Sequence, residues 1–184
     1  MAATLSAMLP LGTKAQEFSL KDSVSGNLFR LDQLKGTQAT VIMFICNHCP
    51  YAKHIYYHLA GFTPEYQDKG VAFIGINSNN FQAYPDDSPE MMKKLAIELG
   101  FKFPYLIDET QVVAKAYNAT CTPDFFIYDS TLKLVYRGQY DNSRPNNGIP
   151  VTGKDIKSAL DAILSNSIVN PDQIPSLGCN IKWK

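Results

Sequence analysis

The order of apolar and polar stretches along this chain predicts its architecture. "EFSLKDSVSGNLFRL" reads as two short strands around a Ser-Gly turn, and "LDQLKG" as a helical turn stopped by a glycine. "ATVIMFI" is apolar throughout and rich in β-branched residues, the mark of a central strand covered on both faces. Pro50 follows at a first-turn position. A helix is therefore expected to begin near Cys49, run through "YAKHIYYHLAGF", kink near Pro64 and end at Gly70. "VAFIGIN" is a second buried strand, and "SNNFQAYPDD" an irregular loop. Ser88-Pro89-Glu90 opens a further helix with a capping serine, a proline at the first helical position and an acid in the first turn; "EMMKKLAIEL" carries it to Gly100. "FPYLI" is a short strand and "ETQVVAKAYN" a short helix. "DFFIYD" and "KLVYRG" form a hairpin around Ser130-Thr131. The loop "QYDNSRPNNGIPVTG" leads into a last helix, "KDIKSALDAILS", and "NSIVNPDQIPSLGCNIKWK" follows without clear periodicity.

Strands that alternate with helices predict an α/β fold with a parallel core. The closing hairpin makes the sheet mixed, and the handedness of the crossovers puts helices on both faces. One domain is expected over 1–166, with 167–184 as a tail packed on it through Leu177, Ile181 and Trp183. With 184 residues and 45% apolar content the chain can bury a full core. Seventeen basic residues balance seventeen acidic ones without long runs, which argues against a nucleic-acid binder and against an electrostatic membrane anchor. No apolar stretch reaches the ~18 residues that span a bilayer. "MAATLSAMLPLGTKAQEF" lacks a basic start and is broken by Ser6 and Pro10, so it is read as an arm rather than a leader. A cytoplasmic location is expected, where close cysteines point to redox or metal chemistry more than to structural disulfides.

The chemistry concentrates where "ATVIMFI" ends, at Cys46-Asn47-His48-Cys49-Pro50. A C-x-x-C at a strand-to-helix junction places thiols near unpaired backbone N–H groups and the positive end of a helix dipole, which favour a thiolate. Cys46 is expected to be the more exposed thiol and the nucleophile, and Cys49 the resolving thiol. His48 would lower the Cys46 pKa further and make the disulfide more oxidising. Pro123 in "NATCTPDFFIYD" precedes a strand and is a candidate cis-proline, though local sequence alone does not establish it.

The segments "LGTKAQEFSLKD", "CNHCP", "FPYLIDET", "TPDFFIYD" and "LVYRG" resemble the thioredoxin fold in its redoxin branch, the alkyl hydroperoxide reductase/thiol-specific antioxidant superfamily. Within it the chain is similar to peroxiredoxin-like bacterial proteins with a "GCNIKW"-type tail. The match spans about residues 10–184. It implies a central mixed sheet flanked by helices, with an N-terminal hairpin and a central insertion. It also implies that Cys46 and Cys49 are the dithiol, that Pro123 is a cis-proline lying against it, and that the Thr122 backbone pairs with a bound thiol substrate. Cys-x-His-Cys further resembles the sites of protein disulfide isomerase and of the periplasmic oxidant of bacteria. The pattern departs from typical peroxiredoxins: Ala39 stands where a proline belongs and Met43 where a threonine belongs, and Arg137 is only a loose match to a peroxide-site arginine. Ile45 replaces the tryptophan that precedes the dithiol in membrane-tethered reductases of this branch.

The expected activity is thiol–disulfide exchange with a disulfide- or thiol-bearing protein or a small-molecule thiol, with no cofactor and no resident metal. The alternatives are a thiol peroxidase in which Cys46 becomes a sulfenic acid resolved by Cys49, Cys121 or Cys179, and a redox-sensing or metal-binding module. Cys121 is expected within several ångströms of the dithiol, as relay, resolving thiol or packing residue. Cys179 would approach it only if the tail docks. His54 and His58 share a helix face without an intervening acid, so a zinc site there is disfavoured. A Cys₄ zinc site lacks a second close pair, and a copper relay through Cys46, Cys49 and His48 is conceivable because soft thiolates favour Cu(I). Asp86 and Asp87 read as turn and cap residues, and Arg144 as a candidate groove residue. Neither the substrate nor the oligomeric state is legible.

Overall fold

In the computed structural model, which describes residues 3–184, the two most apolar runs lie side by side as parallel strands at the middle of a sheet. In chain order the elements are β1 (Ala3–Leu5), β2 (Ser19–Asp22), β3 (Leu28–Arg30), α1 (Leu31–Leu34), β4 (Ala39–Phe44), α2 (Pro50–Gln67) and β5 (Val71–Asn77). There follow a 3₁₀ turn (Pro85–Asp87), α3 (Pro89–Leu99), β6 (Tyr105–Ile107), α4 (Val112–Ala116), β7 (Cys121–Thr122), β8 (Asp124–Asp129), β9 (Leu134–Gly138), α5 (Lys154–Leu164) and β10 (Leu177–Asn180). Seven strands form the main sheet in the order β3-β2-β6-β5-β4-β8-β9. The pairs β4–β5 and β5–β6 are parallel and the others antiparallel, so the sheet is mixed as the pattern predicts.

Every residue of β4 is buried because both faces are covered. Val41, Met43 and Ile45 pack with Ile55, Leu59 and Phe62 of α2, Met92 of α3 and Leu160 of α5. Ile42 and Phe44 point the other way, to Leu31 of α1, Val113 and Ala114 of α4, and Tyr117. Fully burying each such side chain contributes about 1.5–3 kcal/mol, and this two-sided packing fixes where β4 ends. The α3 boundaries follow their local signals: Ser88 Oγ accepts from the Met91 N–H, Pro89 takes the first helical position, and Gly100 closes the helix at φ 68°.

A second sheet, of three strands in the order β1-β10-β7, has no counterpart in the apolar pattern. The tail residues 177–180 lie antiparallel to the N-terminal arm on one side and to the segment before β8 on the other. Cys179 stands opposite Thr122, and Asn180 opposite Cys121. The approach is so close that a Cβ on Gly178 would sit 2.0 Å from the Thr122 carbonyl oxygen, so only glycine fits there. Ile181 is buried as expected of a docked tail. Trp183 is not: it stays 42% exposed with the Lys115 ammonium over its ring. Among the described residues no helix is long and apolar enough to cross a membrane.

Candidate active site

β4 delivers the chain into Cys46-Asn47-His48-Cys49, and α2 takes over at Pro50, with Cys49 as its N-cap in extended conformation. The helix thus starts where the spacing predicts. Cys49 is the residue at the open helix end, and Cys46 lies deeper, at the foot of the strand. Both side chains are fully buried, so Cys46 is not the exposed thiol that the sequence leads one to expect. The facing wall is β7. Cys46 Sγ and Thr122 Oγ1 are hydrogen-bonded at 3.1 Å, and the Cys49 thiol donates to the Thr122 carbonyl, also at 3.1 Å. The Thr122–Pro123 bond is cis. Cys46, Cys49, Thr122 and Pro123 therefore come together.

The 3₁₀ turn supplies a residue that sequence reasoning misread. Asp87 is fully buried rather than an exposed cap. One of its carboxylate oxygens accepts from the Asn47 N–H (2.7 Å) and Asn77 Nδ2 (3.2 Å); the other accepts from Asn79 Nδ2 (2.9 Å) and pairs with His48 Nδ1. Burial opposes its charge, but the His48 and Asn79 hydrogen bonds, the His48 charge and the Asn47 N–H hold the carboxyl below its ordinary range. His48 also stacks on Tyr84, while its Nε2 is buried without a partner. Tyr56 donates to the Cys46 carbonyl, and Tyr105 to Asn47 Oδ1 at 3.1 Å. Burial pushes both phenols well above their usual pKa, so they remain neutral donors. The signal that could have found this wall is Asn77, a polar residue closing the buried run "VAFIGIN".

The two thiols sit in opposite electrostatic settings. Burial, then the contact with Cys49 and the charge of Asp87, push Cys46 well above a normal thiol, against the Thr122 hydroxyl. Cys49 is lowered to about 5. The Cys46 thiol hydrogen-bonds it first; against burial, the Cys179 thiol and the Ala52 N–H add to this. The lowered pKa thus falls on Cys49, whose thiol has Cys46 on one side and Cys179 on the other.

Cys121 is buried, with its Sγ 3.9 Å from the Pro123 carbonyl, and burial and then the Asp124 charge push its pKa up. Cys179 contacts Cys49; burial, then that contact, raise it to about 12. His54 and His58 are engaged separately, by Ser143 and by the Tyr140 hydroxyl. Arg144 lines a narrow cleft with Tyr51, Pro123, Tyr140 and Leu177. Arg137 bonds Gln173 instead of approaching a cysteine. Cys46 Sγ, a His48 ring nitrogen and an Asp87 oxygen lie within 4.8 Å of one another. A metal there would have to displace hydrogen bonds that already occupy both Asp87 oxygens.

The architecture and the buried dithiol beside a cis-proline define a thioredoxin-fold protein, an architecture shared with solved structures at 16–20% identity. Residues 11–137 match the model of the AhpC/TSA family, and the chain belongs to that family. It is 27% identical over 125 residues to the thiol-disulfide oxidoreductase ResA of Halalkalibacterium halodurans, a match covering 67% of this chain and 65% of that protein's length. A conserved uncharacterized protein of Geobacillus kaustophilus is 59% identical, with a TM-score of 0.98 over 100% of this chain and 97% of the other. A hypothetical protein of Sinorhizobium meliloti 1021 is 47% identical, with a TM-score of 0.96 over 98% of each chain.

Proposed function

We propose that the protein is a thiol–disulfide oxidoreductase that exchanges disulfides with partner proteins or small thiols through Cys46 and Cys49. The observation that carries this reading is the pair of thiols at the β4–α2 junction facing one residue beside the cis-proline, Cys46 on the Thr122 hydroxyl and Cys49 on the Thr122 carbonyl. The Cys49 thiolate attacks a partner disulfide, one partner sulfur leaves as a thiolate and takes up a proton, and a mixed disulfide remains on Cys49. Cys46 then gives up its proton, attacks Cys49 Sγ and expels the second partner thiol. Two electrons pass to the partner, and the Cys46–Cys49 disulfide forms. Cys46 is hard to deprotonate in its buried setting, and the His48–Asp87 pair beside it is the base placed to accept that proton.

The ResA relationship and the family membership support this reading. The peroxidase alternative has less support: Cys46 is enclosed and its pKa is raised, Met43 stands where a hydroxyl is needed, and Arg137 is held by Gln173. We place the protein in the cytosol, where a reducing pool would regenerate the dithiol. The test is the rate at which reduced protein consumes oxidised glutathione. Wild type is expected to consume it, and Cys49→Ser to fall to the rate of buffer alone. Full activity in Cys49→Ser would overturn the proposal.

A further inference from the structure

Cys49 has a thiol on each flank. Cys46 at the end of the strand and Cys179, carried by β10, pack with it in one buried cluster. Three features hold Cys179 in that place. The β10–β7 register sets it opposite Thr122, whose carbonyl also receives the Cys49 thiol. Gly178 permits a backbone approach that any side chain would block. The arm strand β1 backs β10 from the far side, pairing Ala3 with Cys179. Cys121, by contrast, faces the Pro123 carbonyl and lies outside the buried cluster that holds Cys46, Cys49 and Cys179. Cys179 keeps 2% exposure whereas the other three cysteines keep none, so it is the outermost thiol of the group.

We propose that Cys179 is a third redox thiol of this site, which alternates with Cys46 as the disulfide partner of Cys49. This rests on the exchange chemistry proposed for the Cys46–Cys49 pair. Starting from the Cys46–Cys49 disulfide, the Cys179 thiolate attacks Cys49 Sγ. The Cys49–Cys179 bond forms, the Cys46–Cys49 bond breaks, and Cys46 leaves as a thiolate that takes the proton Cys179 gave up. The oxidation level of the chain does not change, and the first disulfide comes from the partner disulfide. The exchange moves the disulfide from the enclosed foot of β4 to the strand that lies over it, and ties β10 covalently to the start of α2.

The test removes the competitor. Cys46→Ser and, as a second variant in case a buried serine impairs folding, Cys46→Ala are reduced, exposed to oxidised glutathione, quenched in acid, alkylated and mapped by peptide mass spectrometry. The expected main product is an intramolecular Cys49–Cys179 disulfide, with Cys121 alkylated as a free thiol. Adding Gly178→Ala to either variant should lower that product several-fold, because the new Cβ forces β10 off β7. A stable glutathione adduct on Cys49 with Cys179 free would overturn the proposal, as would a yield indifferent to Gly178→Ala. Cys179→Ser separates this from the underlying reading. If that variant forms a reversible Cys46–Cys49 disulfide while the Cys46 variants form no Cys49–Cys179 bond, only the third-thiol proposal fails. If it forms no Cys46–Cys49 bond, the exchange reading fails and this proposal with it.

Discussion

Cys46 and Cys49 are two residues apart in sequence, yet the protein treats them as different chemical species. Cys46 belongs to the strand: it sits under the sheet with an ionised Asp87 nearby and two neutral tyrosines around its loop, a setting that favours the thiol. Cys49 belongs to the helix: it is the N-cap residue of α2, and with Cys46 and Cys179 packed beside it its pKa is lowered to about 5, a setting that favours the thiolate. A C-x-x-C spacing supplies two sulfurs but leaves open which carries the charge; here burial holds Cys46 as the thiol, and its contact with Cys49 favours the charge on Cys49.

The largest way to break this contrast is Asp87→Asn. It weakens the hold on His48, the base proposed for the second step, and that loss outweighs the easier ionisation of Cys46 once the buried charge is gone. The release of the second partner thiol, followed in a single turnover, should slow roughly 10²-fold, the scale of a lost acid–base group. An unchanged rate would remove the His48–Asp87 pair from the mechanism.

A second test reads the Cys49 charge through pH. Its folded pKa, about 5, lies below the ~8.5 of a free thiol, so the folded reduced protein releases this proton more easily than the unfolded chain. The stability this contributes is fully present above the unfolded value and is lost as pH falls through about 5. The slope between the two values should be no more than roughly 1.4 kcal/mol per pH unit. The melting temperature of reduced wild type should therefore gain on that of Cys49→Ser as pH rises from 5 to 8. Parallel curves would place the thiolate elsewhere.

The smallest effect is expected from Thr122→Val. It deletes one hydrogen bond to Cys46 and leaves the carbonyl that receives Cys49 in place. The cost should be about 1 kcal/mol in chemical denaturation. The Cys46 thiol should become still harder to ionise, seen as slower alkylation at high pH.

The main sheet was legible because its strands are long enough to show their environment. Five apolar residues in six at β4 and five in seven at β5 leave no face for water, and Ser88-Pro89 and Gly100 mark α3 at both ends. The small sheet was not legible. β1, β7 and β10 have three, two and four residues, too few for a period, and they pair only because the arm, the tail and the segment before Pro123 meet in space. Its one sequence trace is Gly178, whose need appears only once Thr122 is seen against it. At the site, the dithiol and the Thr122-Pro123 pair could be named from their motifs. The burial of Asp87 could not, because "YPDDSPE" reads as a solvent loop until Asn77, Asn79 and His48 close over its carboxylate.

The central claim is that Cys46 and Cys49 form a reversible redox pair. It is tested most directly by equilibrating the protein in graded glutathione buffers, trapping free thiols in acid and mapping disulfides by mass spectrometry. A two-electron transition is expected, in which a bond to Cys49 forms and is lost reversibly, from Cys46 in the Cys179→Ser protein and from Cys46 or Cys179 in wild type. A Cys46 that stays unpaired and accumulates sulfinic acid, with Cys49 free at every potential, would contradict it.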